Sequence, residues 1–212
     1  MGKVELNKQK KRESLLDSAF QLFTNNGFSK TSVSDIVNHA GVAKGTFYLY
    51  FADKFDLRNK LIASQADKLF LAAYSDLQQQ EPMSFEDEVI FMVNHILDQF
   101  TANPALVTFI SKHLSWALFK ITLLGQGDGS ASRTYQVYRE LLDHSGRTFR
   151  SPEIMLYMIL EFVSGTSYNA ILYRQPCSLE ELKPELFDVI RYIIRRQELP
   201  GGEDVDREPL PV

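Results

Sequence analysis

At 212 residues, 44% of them hydrophobic and 24% charged, the chain can bury a self-sufficient core and lies outside the compositions of disordered, fibrous and collagen-like proteins. Its longest stretch without Asp, Glu, Lys or Arg, Gln99 to Ser111, falls well short of the roughly 20 apolar residues that a membrane-spanning helix needs. The N-terminus is charged and lacks the apolar run of a secretory signal, and a lone cysteine, Cys177, excludes an intramolecular disulfide framework. No membrane partner is expected, and a reducing cytoplasm is the expected location. The net charge of −4 divides unevenly: residues 1–60 hold ten lysines and arginines against six acidic residues, a surplus of +4 that leaves −8 on the remainder. A basic first quarter on an acidic body suits a protein that meets a polyanion at one end.

Helical periodicity runs through the chain and no segment alternates as a strand does, so the expected fold class is all-α. A first helix carries Leu15, Leu16, Ala19, Phe20, Leu22 and Phe23 on one stripe and stops at Asn25-Asn26-Gly27, where Gly27 can turn left-handed. Ser32, with Asp35 three residues on, starts a short second helix through Val33, Ile36, Val37 and Ala40. Gly41 breaks it, Val42 supplies an apolar plug, and Lys44 to Phe51 form a third helix. Asp53 with Asp56 caps a long fourth helix, through Phe55, Ile62, Leu69, Phe70, Ala73 and Leu77 to near Gln79, without glycine or proline. Ser84 with Asp87 opens the next, through Val89, Val93, Ile96 and Phe100, and Asn103-Pro104 opens another through Leu106, Phe109, Ile110, Leu114 and Trp116. Gly125 to Ser130 is a loop, followed by a helix through Tyr135, Tyr138, Leu141 and Leu142 that ends near Gly146. Ser151-Pro152 opens a helix to about Arg174; Ser178 to Leu182 reads as one turn, and Pro184, at a first helical position, opens the last helix through Phe187, Ile190, Ile193 and Ile194. From Leu199 on, prolines, glycines and acidic residues make a tail with too little apolar surface to fold.

The second and third helices, joined across Ala40-Gly41-Val42, form a helix-turn-helix, whose second member can lie in the DNA major groove. At about 100° per residue, Phe47 and Phe51 mark the buried side of the third helix, and the opposite side centres on Gly45 and Leu49, flanked by Thr46 and Tyr48. Gly45 lets the backbone come close; Thr46 and Tyr48 offer hydroxyls and apolar surface; Lys44 reaches guanine or a phosphate. These exposed side chains have no packing purpose in a unit that merely packs. Ala43 offers no side-chain cap, which leaves the first amides of this helix free for a phosphate. Ser32 and Ser34 at the start of the second helix, and Lys54 at the start of the fourth, add phosphate contacts. With Tyr50, these make the candidate DNA-contacting set: Ser32, Ser34, Lys44, Gly45, Thr46, Tyr48, Leu49, Tyr50 and Lys54. The basic segment Lys8 to Arg12 reads equally as a solvated run or as a DNA-contacting arm.

Arg12 to Leu57, above all Thr31-Ser-Val-Ser-Asp-Ile-Val and Ala40-Gly-Val-Ala-Lys-Gly-Thr-Phe-Tyr-Leu-Tyr-Phe-Ala-Asp-Lys-Phe-Asp-Leu, closely resembles the N-terminal DNA-binding region of the TetR family of bacterial transcriptional regulators. The resemblance covers about a quarter of the chain, and its two halves keep a fixed gap. It implies a homodimeric repressor whose C-terminal helical domain binds a small-molecule inducer and whose last two helices pair in a four-helix bundle. Ala43 stands where many members carry a capping serine. The expected layout is a helix-turn-helix DNA-binding domain at 1–53, a helical ligand-binding and dimerisation domain at 54–198, joined through the long fourth helix, and a disordered acidic tail at 199–212, about nine helices in all.

In the C-terminal part, Phe91, Phe109, Trp116 and Tyr157 are aromatic candidates for lining a ligand cavity, and His95 and His113 are polar candidates on apolar helices, where a hydrogen-bonded core histidine is the competing reading. Glu161 interrupts an apolar run and either escapes to solvent or is held for a ligand or a partner across the dimer. Gly165 and Ala170 on the same helix, with Phe187, Ile190 and Ile194 on the last, form the expected dimer interface, against the alternative of packing within one chain. Four histidines and one cysteine without paired metal-ligand spacing point to no metal and no cofactor, and the Gly125-x-Gly127-x-Gly129 run lacks the strand and the G-K-[ST] ending of a phosphate loop. The sequence therefore reads as a non-enzymatic regulator, a homodimer with two partners: a palindromic double-stranded DNA operator, and a hydrophobic or amphipathic inducer of unknown identity. A ligand-independent DNA-binding module acting through a protein partner is the alternative, and an enzyme with a vestigial helix-turn-helix a third.

Overall fold

In the computed structural model, which describes residues 2–111 and 133–200, helix α1 (Lys3–Asn26) extends well beyond its apolar stripe. It takes in the basic segment Lys8 to Arg12, all of it solvent-exposed, before burying Leu15, Leu16, Ala19 and Phe23. Gly27 ends it at φ 82°, a conformation that side chains with a Cβ rarely adopt. Helix α2 (Val33–His39) begins with a capping box: the Ser32 hydroxyl accepts from the Asp35 N–H, and the Asp35 carboxylate accepts from the Ser32 N–H. Helix α3 (Lys44–Tyr48) is shorter than its predicted span to Phe51. Leu49, Tyr50 and Phe51 continue as a hydrogen-bonded turn that still delivers Phe47 and Phe51 to the core, at 0% and 1% exposure.

The Asp53 carboxylate accepts the Phe55 and Asp56 N–H groups, 2.8 Å each, and so starts α4 (Lys54–Leu77), a helix about 36 Å long. Ser84 likewise caps α5 (Phe85–Ala102), Pro104 opens α6 (Pro104–Ser111), and α7 (Arg133–Ser145) precedes a turn at Gly146. Helix α8 (Pro152–Tyr173) ends one residue before its predicted limit, with Arg174 in the left-handed region. The last helix differs most from expectation. Ser178 and Glu181 form a capping box that starts α9 (Leu179–Gln197) ahead of Pro184, so the expected separate turn and the last helix are one element. Pro184 lies near the helix start, where its missing N–H removes a single bond.

Two apolar cores hold these helices. The first joins α1, α2 and α3 to Leu57, Leu61 and Ile62 of α4 and to Phe100, Leu106, Val107 and Phe109 of α5 and α6. The second gathers the far half of α4 with α5, α7, α8 and α9 around Met92, Val137, Leu141, Met155, Ile159, Leu186 and Ile190. Helix α4 therefore belongs to both cores, and each buried Leu, Ile or Phe contributes roughly 1.5–3 kcal/mol to keeping it there. Leu199, expected to open the tail, is instead buried, its N–H bonded to the Thr148 carbonyl. Among the described residues, no helix is long and apolar enough to cross a membrane. His113, Leu114, Trp116, the loop expected at Gly125 to Ser130 and the tail beyond Pro200 lie outside the described residues.

Candidate nucleic-acid interface

The α2–α3 pair is built by short-range bonds around a glycine. The Ala40 N–H donates to the Ile36 carbonyl, Gly41 takes φ 66°, and the Val42 N–H returns to the Val37 carbonyl at 3.0 Å. A second layer ties the pair to α1: the Ser14 hydroxyl donates to the Ala40 carbonyl, and His39 Nδ1 lies 3.1 Å from the Ser18 hydroxyl. With Phe47 sealed below, α3 has one free side. Leu49 is 78% exposed and Tyr48 55%, while Lys44 and Gly45 are exposed and Thr46 half-buried. Nothing lies within 4 Å of where a Cβ on Gly45 would stand. The face drawn from the helical period is therefore the face that meets solvent.

Three of the nine candidates are engaged inside the protein. The Ser32 hydroxyl serves the capping box, donating to the Asp35 carboxylate at 2.7 Å while accepting from its N–H; the Ser32 hydroxyl and N–H bonds hold the Asp35 carboxyl below the usual carboxylate range. Ser34 stays exposed. Tyr50 is half-buried against the first core, and its carbonyl accepts from Lys60. Lys54 reaches back to the α1–α2 turn, where its ammonium donates to the Phe28 and Thr31 carbonyls at 2.8 and 2.7 Å and sits 4.3 Å from the centre of the Phe28 ring. Two of its three N–H donors are thus committed to pinning α4 to the recognition pair. Lys54→Met is expected to lower stability by about 1–3 kcal/mol even without DNA, the scale of charged hydrogen bonds. Urea unfolding checks this; a lysine serving only a phosphate would leave the midpoint unchanged.

Candidates in the body separate differently. Phe91, His95 and Tyr157 are half-buried on α5 and α8. His95 Nδ1 lies 3.3 Å from the Asp76 carboxylate on α4, which is the partnered core histidine of the competing reading. Phe109 is 8% exposed and packs against α1, edge-on to Phe20 at 5.5 Å and stacked on Phe23 at 6.2 Å. Glu161 escapes to solvent.

The expected dimer residues also divide. Ala170, Ile190 and Ile194 are buried within the chain, at 2%, 0% and 0% exposure, and are unavailable to a second copy. Phe187 is half-buried in the second core. Gly165 does lie outward, on one stripe of α8 with Ile154 and Glu161, and on α9 Glu185, Val189 and Tyr192 are exposed. The more apolar stripe of each helix is claimed by the chain's own core.

The family model for bacterial regulatory proteins of the tetR family matches residues 15–61, from the buried stripe of α1 into α4. An uncharacterized HTH-type transcriptional regulator, YvdT of Bacillus subtilis, is 46% identical over 59 residues, 28% of each chain. The fatty acid metabolism regulator protein of Bacillus subtilis is 29% identical over 108 residues, 51% of this chain and 46% of that one. The chain thus spans between 28% and 46% of the length of these two curated relatives. The fold is also that of the transcriptional regulator FadR from Bacillus subtilis, solved in complex with stearoyl-CoA, at TM-score 0.57 and 18% identity over 84% of this chain and 96% of that one.

Proposed function

Because the chain belongs to the tetR family of bacterial regulatory proteins, we propose that it is a homodimeric transcriptional repressor, released from a palindromic operator when a hydrophobic or amphipathic small molecule binds its helical body. The observation that carries this is the α3 surface: Leu49 and Tyr48 stand 78% and 55% exposed on a helix whose other side is sealed by Phe47. An exposed leucine and tyrosine beside Gly45, Lys44 and Thr46 match the apolar, hydroxyl and cationic groups that read base edges in a major groove. In this reading residues 1–53 hold the operator, and residues 54–198 bind the ligand and pair through the outward stripes of α8 and α9.

The relatives support one ligand class to test first. One is named for fatty acid metabolism, and a solved neighbour holds stearoyl-CoA, so a long-chain fatty-acyl thioester is the first ligand to test. Such a molecule needs an apolar cavity for its chain, and Phe91 and Tyr157, half-buried on α5 and α8, are the residues we propose to line it.

Twofold symmetry makes the operator testable. Selection of bound duplexes from random DNA is expected to return inverted repeats with half-sites about one helical turn apart or a multiple of it. Adding stearoyl-CoA to the selected duplex and protein is then expected to release the DNA. Recovery of asymmetric or direct-repeat sites alone would overturn the dimeric repressor; retention of DNA at saturating stearoyl-CoA would overturn the acyl-thioester assignment.

A further inference from the structure

A dense charge cluster lies at the end of the body far from α3, where α5 begins, α9 ends and the α7–α8 turn crosses between them. Arg147, on that turn, grips two carboxylates at once. Nη1 and Nη2 donate to the two oxygens of Glu86 in the first turn of α5, and Nε and Nη2 donate to the two oxygens of Glu198 at the cap of α9. The rings of Phe149 and Phe85 flank the guanidinium, their centres 5.3 and 5.9 Å from its carbon. Glu86 is only 7% exposed, so its charge is tolerated there because Arg147 answers it. Backbone bonds close the same clasp: the Arg150 N–H donates to the Gln197 carbonyl at 2.8 Å, and the Leu199 N–H to the Thr148 carbonyl at 2.9 Å.

The seam continues along α9 in antiparallel order. Arg195 lies 3.9 Å from Glu86, Arg191 donates to Asp87 at 2.8 Å, and Lys183 donates to Asp98 at 2.8 Å. Acids on α5 thus face bases on α9, and a shift of α9 by one residue would turn its charged row away by about 100°. The opposite row of α9 carries Val189 and Tyr192, 38% and 68% exposed. Exposed pairs of this kind contribute little one by one, whereas removing one partner of a buried, doubly bonded pair leaves a charge stranded.

We propose that Arg147 is a positioning residue for the dimer: by locking the C-terminal end of α9 to α5 it sets the rotation of α9, and with it the face offered to a second copy of the chain. This rests on the pairing reading above. The test uses the full chain and the variants Arg147→Met, Arg147→Lys and Glu198→Gln, with the dimer dissociation constant from sedimentation across a dilution series and helical content from circular dichroism. Arg147→Met is expected to weaken the dimer about tenfold or more with helical content kept, and Arg147→Lys, which restores charge but not the fork, to fall between.

Acid titration supplies a second signature. Burial pushes the Glu86 carboxyl up, but its bonds and charge pairing with Arg147 outweigh this and hold it below the ordinary 4.5; the Arg147 bond lowers Glu198 likewise. Their contribution is complete above that ordinary value and is lost as pH falls through the lowered ones; the seam also carries Asp87, Asp98, Glu180, Lys183, Arg191 and Arg195. The parent dimer is therefore expected to loosen across that acid window, and the Arg147→Met variant to lose this dependence. If Arg147→Met fails to fold, Glu198→Gln, which keeps the Glu86 pair, carries the test. A dimer constant within about twofold of the parent's in the folded variants, even with lowered thermal stability, overturns the proposal. A parent that stays monomeric at every concentration overturns the pairing reading and this proposal together, and the parent trace alone identifies that case.

Discussion

Gly45→Ala is expected to stabilise the free protein while weakening its hold on operator DNA. Gly45 is exposed in α3, its φ lies outside the left-handed region, and an added Cβ would meet nothing within 4 Å. Alanine in such a helical position gains up to about 1 kcal/mol over glycine, because less backbone freedom is lost on folding. In a major groove the same Cβ stands between the helix backbone and the base edges. Gly45→Glu adds a longer side chain and a negative charge facing phosphates, and its expected cost at the operator is at least about 100-fold, or roughly 2.7 kcal/mol. Tyr48→Ala is the milder control, at about 1–3 kcal/mol on the operator and little on random duplex. Fluorescence anisotropy with labelled operator, beside thermal melts of the same samples, separates binding from folding. Unchanged operator affinity in Gly45→Glu would show that α3 does not enter the groove.

The opposed signs are possible because the recognition pair was designed by two independent constraints, both visible in the sequence. Phe47 and Phe51, four apart, fix the inner side of α3 through helical geometry alone, and the outer side follows from them. Caps are similarly local: Ser32 with Asp35, Asp53 with Asp56 and Ser84 with Asp87 were readable because a cap needs only residues within one turn. What failed to read is non-local. Lys54 looks like a phosphate ligand until the fold brings the Phe28 and Thr31 carbonyls beside it. Arg147, Glu86 and Glu198 are scattered along the chain and gave no pattern at all. Ala170 on α8 and Ile190 and Ile194 on α9 lie on apolar stripes, but periodicity cannot distinguish a core in one chain from an interface between two. Pro184 reads as a first helical position, yet the capping box upstream of it starts α9 first.

Phe109→Leu is expected to uncouple ligand from operator while leaving each able to bind. Helix α6 packs on α1, α4, α5 and α8, and Phe109 is the side chain it drives into α1, between Phe20 and Phe23. In the proposed switch, a ligand among the aromatic helices must favour an arrangement that operator DNA disfavours, and linkage then makes the effect reciprocal, typically about 5- to 150-fold in either direction. A ring wedged between two phenylalanines transmits displacement because packed cores have discrete arrangements and little slack. Leucine keeps the contact apolar but removes the edge-on and stacked ring contacts, at about 1–2 kcal/mol of stability, which is milder than the roughly 3–5 kcal/mol of Phe109→Ala. The measurement is calorimetric titration of stearoyl-CoA into protein with and without saturating operator, for parent and variant. In the parent, operator should weaken ligand binding by the coupling factor; in Phe109→Leu that factor should fall toward one, with ligand affinity in the absence of DNA preserved. An undiminished factor in a folded variant would place the coupling along α4 alone, where Lys54 already ties the helix to the recognition pair.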